Sequence, residues 1–425
     1  MIRKLTVGLF VGSVAFLLSP GLSLAQQAVG PVSKGHVMIP KSSIAEPGDA
    51  GVKAHTHLRI FVPASGMNFG SAVQTNELPP FPGFFFETPA SLGCIYHLVN
   101  HTTPGCNPNL TTENPNAGKG SGAIALIDPF HDPTAVGDLA TFSAQFGLPA
   151  ADITVVFAQG SQPAVDPTGG SEIEESLDIE WAHAMAPNAK IFLVEAANNS
   201  LLNLFSAAQL GASMVAKAGG GEVSMSFGTG EGSNEADFDS TFVFPGVVFF
   251  ASSGDSPGVE YPSASPNVVS AGGTTISRDP NSGNFLLENT WQDAGGGPSQ
   301  VEPRPPFQDG VRFIVGNSRG TPDLSFDANP NTGVWVFDSN PVFGTGWFVV
   351  GGTSVSSPSL AGIVNAAGSF RNSSQAENAL LYNHIFGNSF NDTFYGTCGL
   401  NAGNFAIPGY DLCTGVGTPD GLRNK

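Results

Sequence analysis

The sequence predicts an α/β fold, a mostly parallel central sheet with helices on both faces. Three observations carry that expectation. Strand-like apolar runs alternate with helical ones from about residue 120 onward. The strands are nearly continuous in their hydrophobicity, as expected where both faces are covered. The residues just beyond them are polar, and it is at the carboxyl ends of such strands that open sheets gather ligands.

The strands expected are Ala123 to Asp128, Lys190 to Ala196, Glu222 to Phe227, Val247 to Ser252 and Val268 to Ala271. Helices are expected between them at Thr134 to Phe146, Glu172 to Met185 and Ser200 to Ala218. Ahead of this region, residues 26–87 read as an irregular leader, a reduced pro-segment or N-terminal extension. Its one convincing strand is His57 to Val62. The main domain is therefore assigned to residues 88–425.

Residues 1–25 carry Arg3 and Lys4, an apolar run from Leu5 to Leu18, and the small-residue ending Leu22-Ser23-Leu24-Ala25. That is the pattern of a cleaved secretory signal, so a secreted protein is expected. A membrane anchor would need a longer run, unbroken at Pro20. No later segment is long and apolar enough to span a bilayer.

The net charge is −19, from 35 acidic and 16 basic residues, and no Lys/Arg stripe exists to bind phosphates. Nucleic acid is thereby excluded as an expected partner. An acidic chain also avoids heavy positive charge at low pH, which fits an acidic habitat. The four cysteines allow three pairings, and in an exported chain the short-loop one, Cys94 with Cys106 and Cys398 with Cys413, is favoured. No spacing typical of a zinc site accompanies them.

The run Gly351-Gly352-Thr353-Ser354-Val355-Ser356-Ser357-Pro358 follows a strand, Trp347 to Val350, and precedes a helical stretch. Pro358 suits a first helical turn. Ser354 is thus placed at a helix N-terminus, where backbone N–H groups could receive an oxyanion. Taken alone, the run reads first as a polar turn with a capping serine. The pattern Gly-Thr-Ser-x-x-x-Pro before a small-residue helix resembles the signature of the subtilisin-like peptidases. A nucleophilic serine needs a base, and none of the eight histidines lies in a His-Gly-Thr turn.

Glu174 and Asp178 offer another base. Four residues apart on a helix, they share one face, roughly 40° apart around the axis. Ile173, Leu177, Trp181 and Met185 form the adjacent apolar row, and His183 falls on the far side. Two close carboxyls ionise in separate steps and can share a proton. The alternative is a solvated acidic face. Asp255, in Ser253-Gly254-Asp255-Ser256 after a strand, is either a turn former or, if protonated, a donor to an oxyanion.

Together these segments resemble the sedolisin family of serine-carboxyl peptidases, acid-adapted relatives of subtilisin. The resemblance runs over roughly residues 88–422 and includes Tyr261-Pro262-Ser263-Ala264-Ser265-Pro266 and Gly295-Gly296-Gly297-Pro298-Ser299. It implies a subtilisin-like fold and an endopeptidase acting on protein and peptide substrates, with no membrane span and as a monomer. Ser354 would attack, Glu174 would be the general base, Asp178 would support it, and Asp255 would donate to the oxyanion. Asp128, at the end of its strand, would be structural. The stretch Ser224-Met225-Ser226-Phe227-Gly228 resembles the edge that pairs with substrate backbone.

The resemblance also implies one structural Ca²⁺. Asp392 and Asp411 would supply side-chain oxygens, and Thr393, Ile407 and Gly409 backbone carbonyls; hard oxygen donors from two loops suit calcium. Two departures stand out. The leader is short for a family that carries a folded pro-region, and Pro257 stands where Gly commonly follows Asp-Ser. A catalytically silent, peptide-binding member of the family is the rival reading.

Overall fold

The computed structural model describes residues 35–64, 78–81, 83–99, 104–112, 118–399 and 404–425. The expected signal, residues 1–25, lies outside the described residues. Among the described residues, the supposed leader supplies strands β1 (Gly35–Met38), β2 (His55–Thr56) and β3 (Arg59–Pro63). Leu58, Ile60 and Phe61 are buried in the main core, so this segment is packed as part of the domain.

The main sheet is built from β4 (Ala123–Pro129), β5 (Asp152–Phe157), β6 (Lys190–Ala196) and β7 (Gly221–Met225) on one side. The chain leaves it through β8 (Phe227–Gly230), re-enters at β9 (Val247–Ser252), and passes β10 (Glu260–Tyr261) before β11 (Val269–Arg278) and β12 (Phe285–Thr290). A short ribbon, β13 (Gly297–Pro303) with β14 (Ser318–Thr321), precedes β15 (Leu324–Asp327). The order β12-β11-β9-β7-β4-β6-β5, with β15 beside β11, makes eight strands. All pair in parallel except β12, which is antiparallel to β11.

Helices cover both faces: α1 (Pro89–Ile95), α2 (Ala135–Phe146), α3 (Gly170–Met185), α4 (Leu201–Lys217), α5 (Thr353–Ala367) and α6 (Ser374–Tyr382). Side chains of β4 divide by strand alternation. Ile124 and Leu126 join Ile173, Leu177 and Trp181 of α3 in one core, while Ala125 and Ile127 join Leu204, Phe205 and Ala208 of α4 in the other. The expected α/β architecture is what the chain adopts.

Helix α3 departs from a half-exposed helix, because every one of its sixteen residues is buried. It packs against α5 so closely that a Cβ on Gly362 would lie 2.7 Å from the Cβ of Met185. This close crossing holds the acidic face of α3 against the start of α5. A second sheet, β1-β3-β17-β16, uses β16 (Val334–Asn340) and β17 (Gly344–Gly351), and β17 leads directly into α5.

Candidate active site

Ser354 sits in the first turn of α5 behind Gly352, whose φ is +102°. A Cβ there would overlap the His57 carbonyl oxygen and lie 2.6 Å from Asp255 Oδ2. Only glycine leaves room for the chain to turn at this point. The helix begins at Thr353, so Pro358 lies in the second turn and not in the first, as its sequence position had implied. Its missing N–H would have paired with the Ser354 carbonyl. That carbonyl instead lies 3.3 Å from the Ser226 hydroxyl.

The Ser354 hydroxyl donates toward the Ser226 carbonyl at 3.3 Å and accepts from the His57 N–H at 3.1 Å. Glu174 faces it from α3. Neither Glu174 oxygen completes a hydrogen bond, yet the hydroxyl is near enough to pull the acid's pKa downward. Burial dominates, however, and with the Asp128 and Asp255 charges pushes Glu174 well above the usual carboxylate range.

Asp178, one turn on, is also wholly buried and pushed well up by burial, with Asp128 and Glu174 adding repulsion. Its Oδ1 lies 2.6 Å from the Ser226 hydroxyl. One hydroxyl proton cannot serve both Asp178 and the Ser354 carbonyl. If Asp178 is protonated, it donates to Ser226, and Ser226 donates onward to Ser354, satisfying both. The solvated acidic face is ruled out by burial, and His183 points away, bonding to the Pro149 carbonyl at 2.9 Å.

Asp128, expected to be structural, stands next to last in β4, close enough to raise both members of this pair. Burial pushes it up to about 7, and its Oδ2 has no hydrogen-bond partner. Glu175 and Glu195 extend the buried acidic cluster, the latter pushed up to about 8 by burial and by Asp132 and Asp128.

Asp255 approaches from the loop after β9. Its Oδ1 accepts from the Thr353 N–H at 2.7 Å and from the Thr353 hydroxyl at 3.0 Å. Arg59 Nε lies 3.3 Å from Oδ2, and the Arg59 Nη2 donates to the Asp255 carbonyl at 2.7 Å. Burial raises the Asp255 pKa, while Arg59, His57 and Thr353 oppose that rise. The four residues expected at the site therefore converge from three distant regions of the chain.

What the sequence reading missed is the segment in front of them. β2 pairs antiparallel with β8, matching His55 to Gly228 and Thr56 to Phe227. The His57 N–H also reaches the Ser226 carbonyl at 3.3 Å, and the His57 carbonyl accepts from the Ser354 N–H at 3.2 Å. The His57 ring lies between the Ser252 hydroxyl, 2.6 Å from Nδ1, and Glu260, 2.9 Å from Nε2. Burial alone would raise Glu260, but His57 and His55 hold it far below the usual range. Burial would likewise lower His55, yet Glu260 holds its pKa above the ordinary value. A usable clue was the alternation His55-Thr56-His57, which puts both rings on one face of a strand.

Two groups could hold a cation. Among the described residues, His55, His57 and Glu260 bring three potential ligand atoms within 4.8 Å of one another. The two loops expected to carry calcium lie together near the C-terminus. Asp392 Oδ2 accepts from the Gly409 N–H at 2.8 Å, Asp411 Oδ2 from the Ile407 N–H at 3.1 Å, and the Thr414 hydroxyl lies 3.4 Å from the Thr393 carbonyl. Asp392 Oδ1 is buried with no partner. Asp411 Oδ1 is engaged by the Cys413 and Thr414 N–H groups, at 2.8 Å each, so Asp392 Oδ1 is the unengaged carboxylate oxygen of the set, a hard donor of the kind Ca²⁺ takes. Both expected disulfides are present, each with 5.5 Å between Cα atoms, and Cys398–Cys413 ties residues flanking this set.

Kumamolisin from Bacillus sp. (strain MN-32) is 31% identical over 336 residues, covering 71% of this chain and 58% of kumamolisin. Sedolisin from Pseudomonas sp. (strain 101) is 31% identical over 189 residues, covering 39% of this chain and 30% of sedolisin. The matches thus span less than two thirds of either relative. A solved structure of Pseudomonas sedolisin, described as a serine-carboxyl proteinase complexed with two molecules of pseudo-iodotyrostatin, superposes with a TM-score of 0.64. Its sequence identity is 23%, and the superposition covers 79% of this chain and 95% of that one. No protein-family model matches the chain.

Proposed function

We infer the activity from kinship, since the chain belongs to the sedolisin family, and propose that it is a secreted serine-carboxyl endopeptidase working in acid. The observation that carries this reading is the gathering of three acids about the turn that holds Ser354, with Glu174 at its hydroxyl, Asp178 on the neighbouring Ser226 hydroxyl and Asp255 on the Thr353 N–H. Their roles are proposed as follows.

Glu174 and Asp178 are shut in together, so they ionise in steps and retain a shared proton well above the pH at which a free carboxyl would lose it. The single negative charge left on the pair takes the proton of Ser354 as its Oγ attacks the substrate carbonyl. The oxyanion then meets the Ser354 N–H and a protonated Asp255 Oδ2. Proton return to the leaving amine frees the first product, and water repeats the cycle on the acyl-enzyme. Acid is required because Asp255 donates only while neutral.

Substrate backbone would pair with β8 by strand addition. Asp392 and Asp411, with carbonyls of Thr393, Ile407 and Gly409, would hold one calcium that braces the C-terminal loops. Protein and peptide substrates are proposed, with the enzyme acting as a monomer. The test is digestion of denatured casein from about pH 3 to about pH 7 by the wild type and by Ser354→Ala. Cleavage by the wild type alone supports the reading; equal cleavage by both removes it.

A further inference from the structure

We propose that His55, His57 and Glu260 form a binding site for one zinc ion, a site that does not depend on the peptidase reading. These residues belong to the two outer edges of a small antiparallel sheet whose strands run in the order β10-β8-β2. His55 stands opposite Gly228, and Glu260 opposite Gly230. Residues two apart on a strand share a face, so all three side chains rise from the face where the central strand presents only glycines. The two imidazole rings meet edge to face, with centroids 5.2 Å apart.

The central strand leaves the space that the three side chains fill. A Cβ on Gly228 would lie 2.5 Å from Glu260 Oε2 and 2.8 Å from His57 Cε1, so a side chain there would push the two apart. His57 Nε2 lies 2.9 Å, and His55 Nε2 3.4 Å, from the same carboxylate oxygen, Glu260 Oε2. All three atoms fall within 4.8 Å of one another. Ligands of a tetrahedral zinc stand roughly 3.3–3.5 Å apart, so closing the set on an ion asks for shifts of about 1 Å or less.

The donors select the ion. Two imidazoles and a carboxylate suit zinc with water in the fourth position, whereas calcium takes more ligands, all of them oxygen. The side chains of His55 and Glu260 are each 13% exposed, which gives the ion and its water a way in. His57 is buried, and its other nitrogen, Nδ1, lies 2.6 Å from the Ser252 hydroxyl. With zinc on Nε2 the ring keeps its proton on Nδ1 and donates it to Ser252, whose own proton faces the Met225 carbonyl at 3.5 Å. Such an outer hydrogen bond fixes the tautomer and aims the ligand. The bound ion ties His55 and His57 to the far end of the loop that carries Asp255.

The test is metal titration of the full-length Ser354→Ala chain, stripped with chelator and then held in excess Ca²⁺ to fill the C-terminal loops. Zn²⁺ binding is read by calorimetry and Co²⁺ by visible absorption, at about pH 7.5, above the ordinary histidine value. One equivalent of Zn²⁺ and the strong visible bands of tetrahedral Co²⁺ are expected. Added to the Ser354→Ala chain, His55→Gln and Glu260→Gln should each weaken zinc binding at least about tenfold, and Ser252→Ala about tenfold. Metal-free melts identify any variant that fails to fold, and the cobalt spectrum needs no ligand substitution. Absence of zinc binding, a weak octahedral cobalt spectrum, or undiminished binding in both His55→Gln and Glu260→Gln would overturn the proposal. Casein cleavage by the wild type is a separate readout, and its failure would remove the peptidase reading alone.

Discussion

Asp178 Oδ1 and the Ser226 hydroxyl stand 2.6 Å apart, joining the acidic helix to the strand that leads into β8. Through Ser226 the carboxyl reaches the Ser354 backbone carbonyl, freed by Pro358 two residues short of the next turn's end. The second carboxyl is thereby coupled to the nucleophile's main chain, while Glu174 faces its side chain.

Ser226→Ala removes that bridge and leaves a buried Asp178 oxygen unpaired. A cost of about 1–3 kcal/mol is expected, divided between stability and positioning. The check is kcat/KM on a peptide together with a thermal melt. A fall of about tenfold in kcat/KM with KM little changed is the predicted outcome.

Stability should fall as pH rises. Glu174, Asp178, Glu175 and Glu180 are pushed well up by burial, Asp128 to about 7 and Glu195 to about 8. Glu175, Glu180, Asp128 and Glu195 keep their protons in the folded chain at a pH where the unfolded chain has lost them, and Glu174 and Asp178 retain one between them. The stabilisation is complete below the ordinary carboxyl range, near about pH 4, and is lost as pH climbs through the raised folded values, which are about 7 for Asp128 and about 8 for Glu195. Melts of Ser354→Ala, which cannot digest itself, should show a Tm at least about 10 °C higher at pH 4 than at pH 8. A flat or rising Tm would contradict this.

Calcium should stabilise the C-terminal loops. Added Ca²⁺ is expected to raise Tm in the Ser354→Ala background, with no such rise in Asp392→Asn, whose buried Oδ1 would be replaced or turned away. An equal rise in both variants would place the ion elsewhere.

The Cys398–Cys413 bridge closes a loop of 15 residues, for which loss is expected to cost about 3 kcal/mol. Melting the double Cys→Ser variant in excess Ca²⁺ and in chelator separates the two contributions.

Much of this was legible in the sequence because it is local. Glu174 and Asp178 are fixed on one face by helix periodicity, and Ser354 is set at a helix start by Gly351-Gly352. The short cysteine spacings favoured the pairs found. Harder to see was anything set by long-range closure. His57 and Ser354 meet across 297 positions, and the β2–β8 pairing engages only two residues on each side. Neither leaves a periodic trace. The full burial of α3 was also hidden, since a helix with five acids reads as solvated until the surrounding helices and strands enclose it.

The central claim concerns the base, and the pH dependence of kcat/KM for a peptide substrate tests it most directly, comparing wild type with Glu174→Gln. We predict a bell with its maximum in acid, falling toward neutrality as Asp255 loses its proton, and a loss of about 10²–10⁴-fold in Glu174→Gln. Wild-type rates in Glu174→Gln, or a maximum at or above neutral pH, would contradict the account.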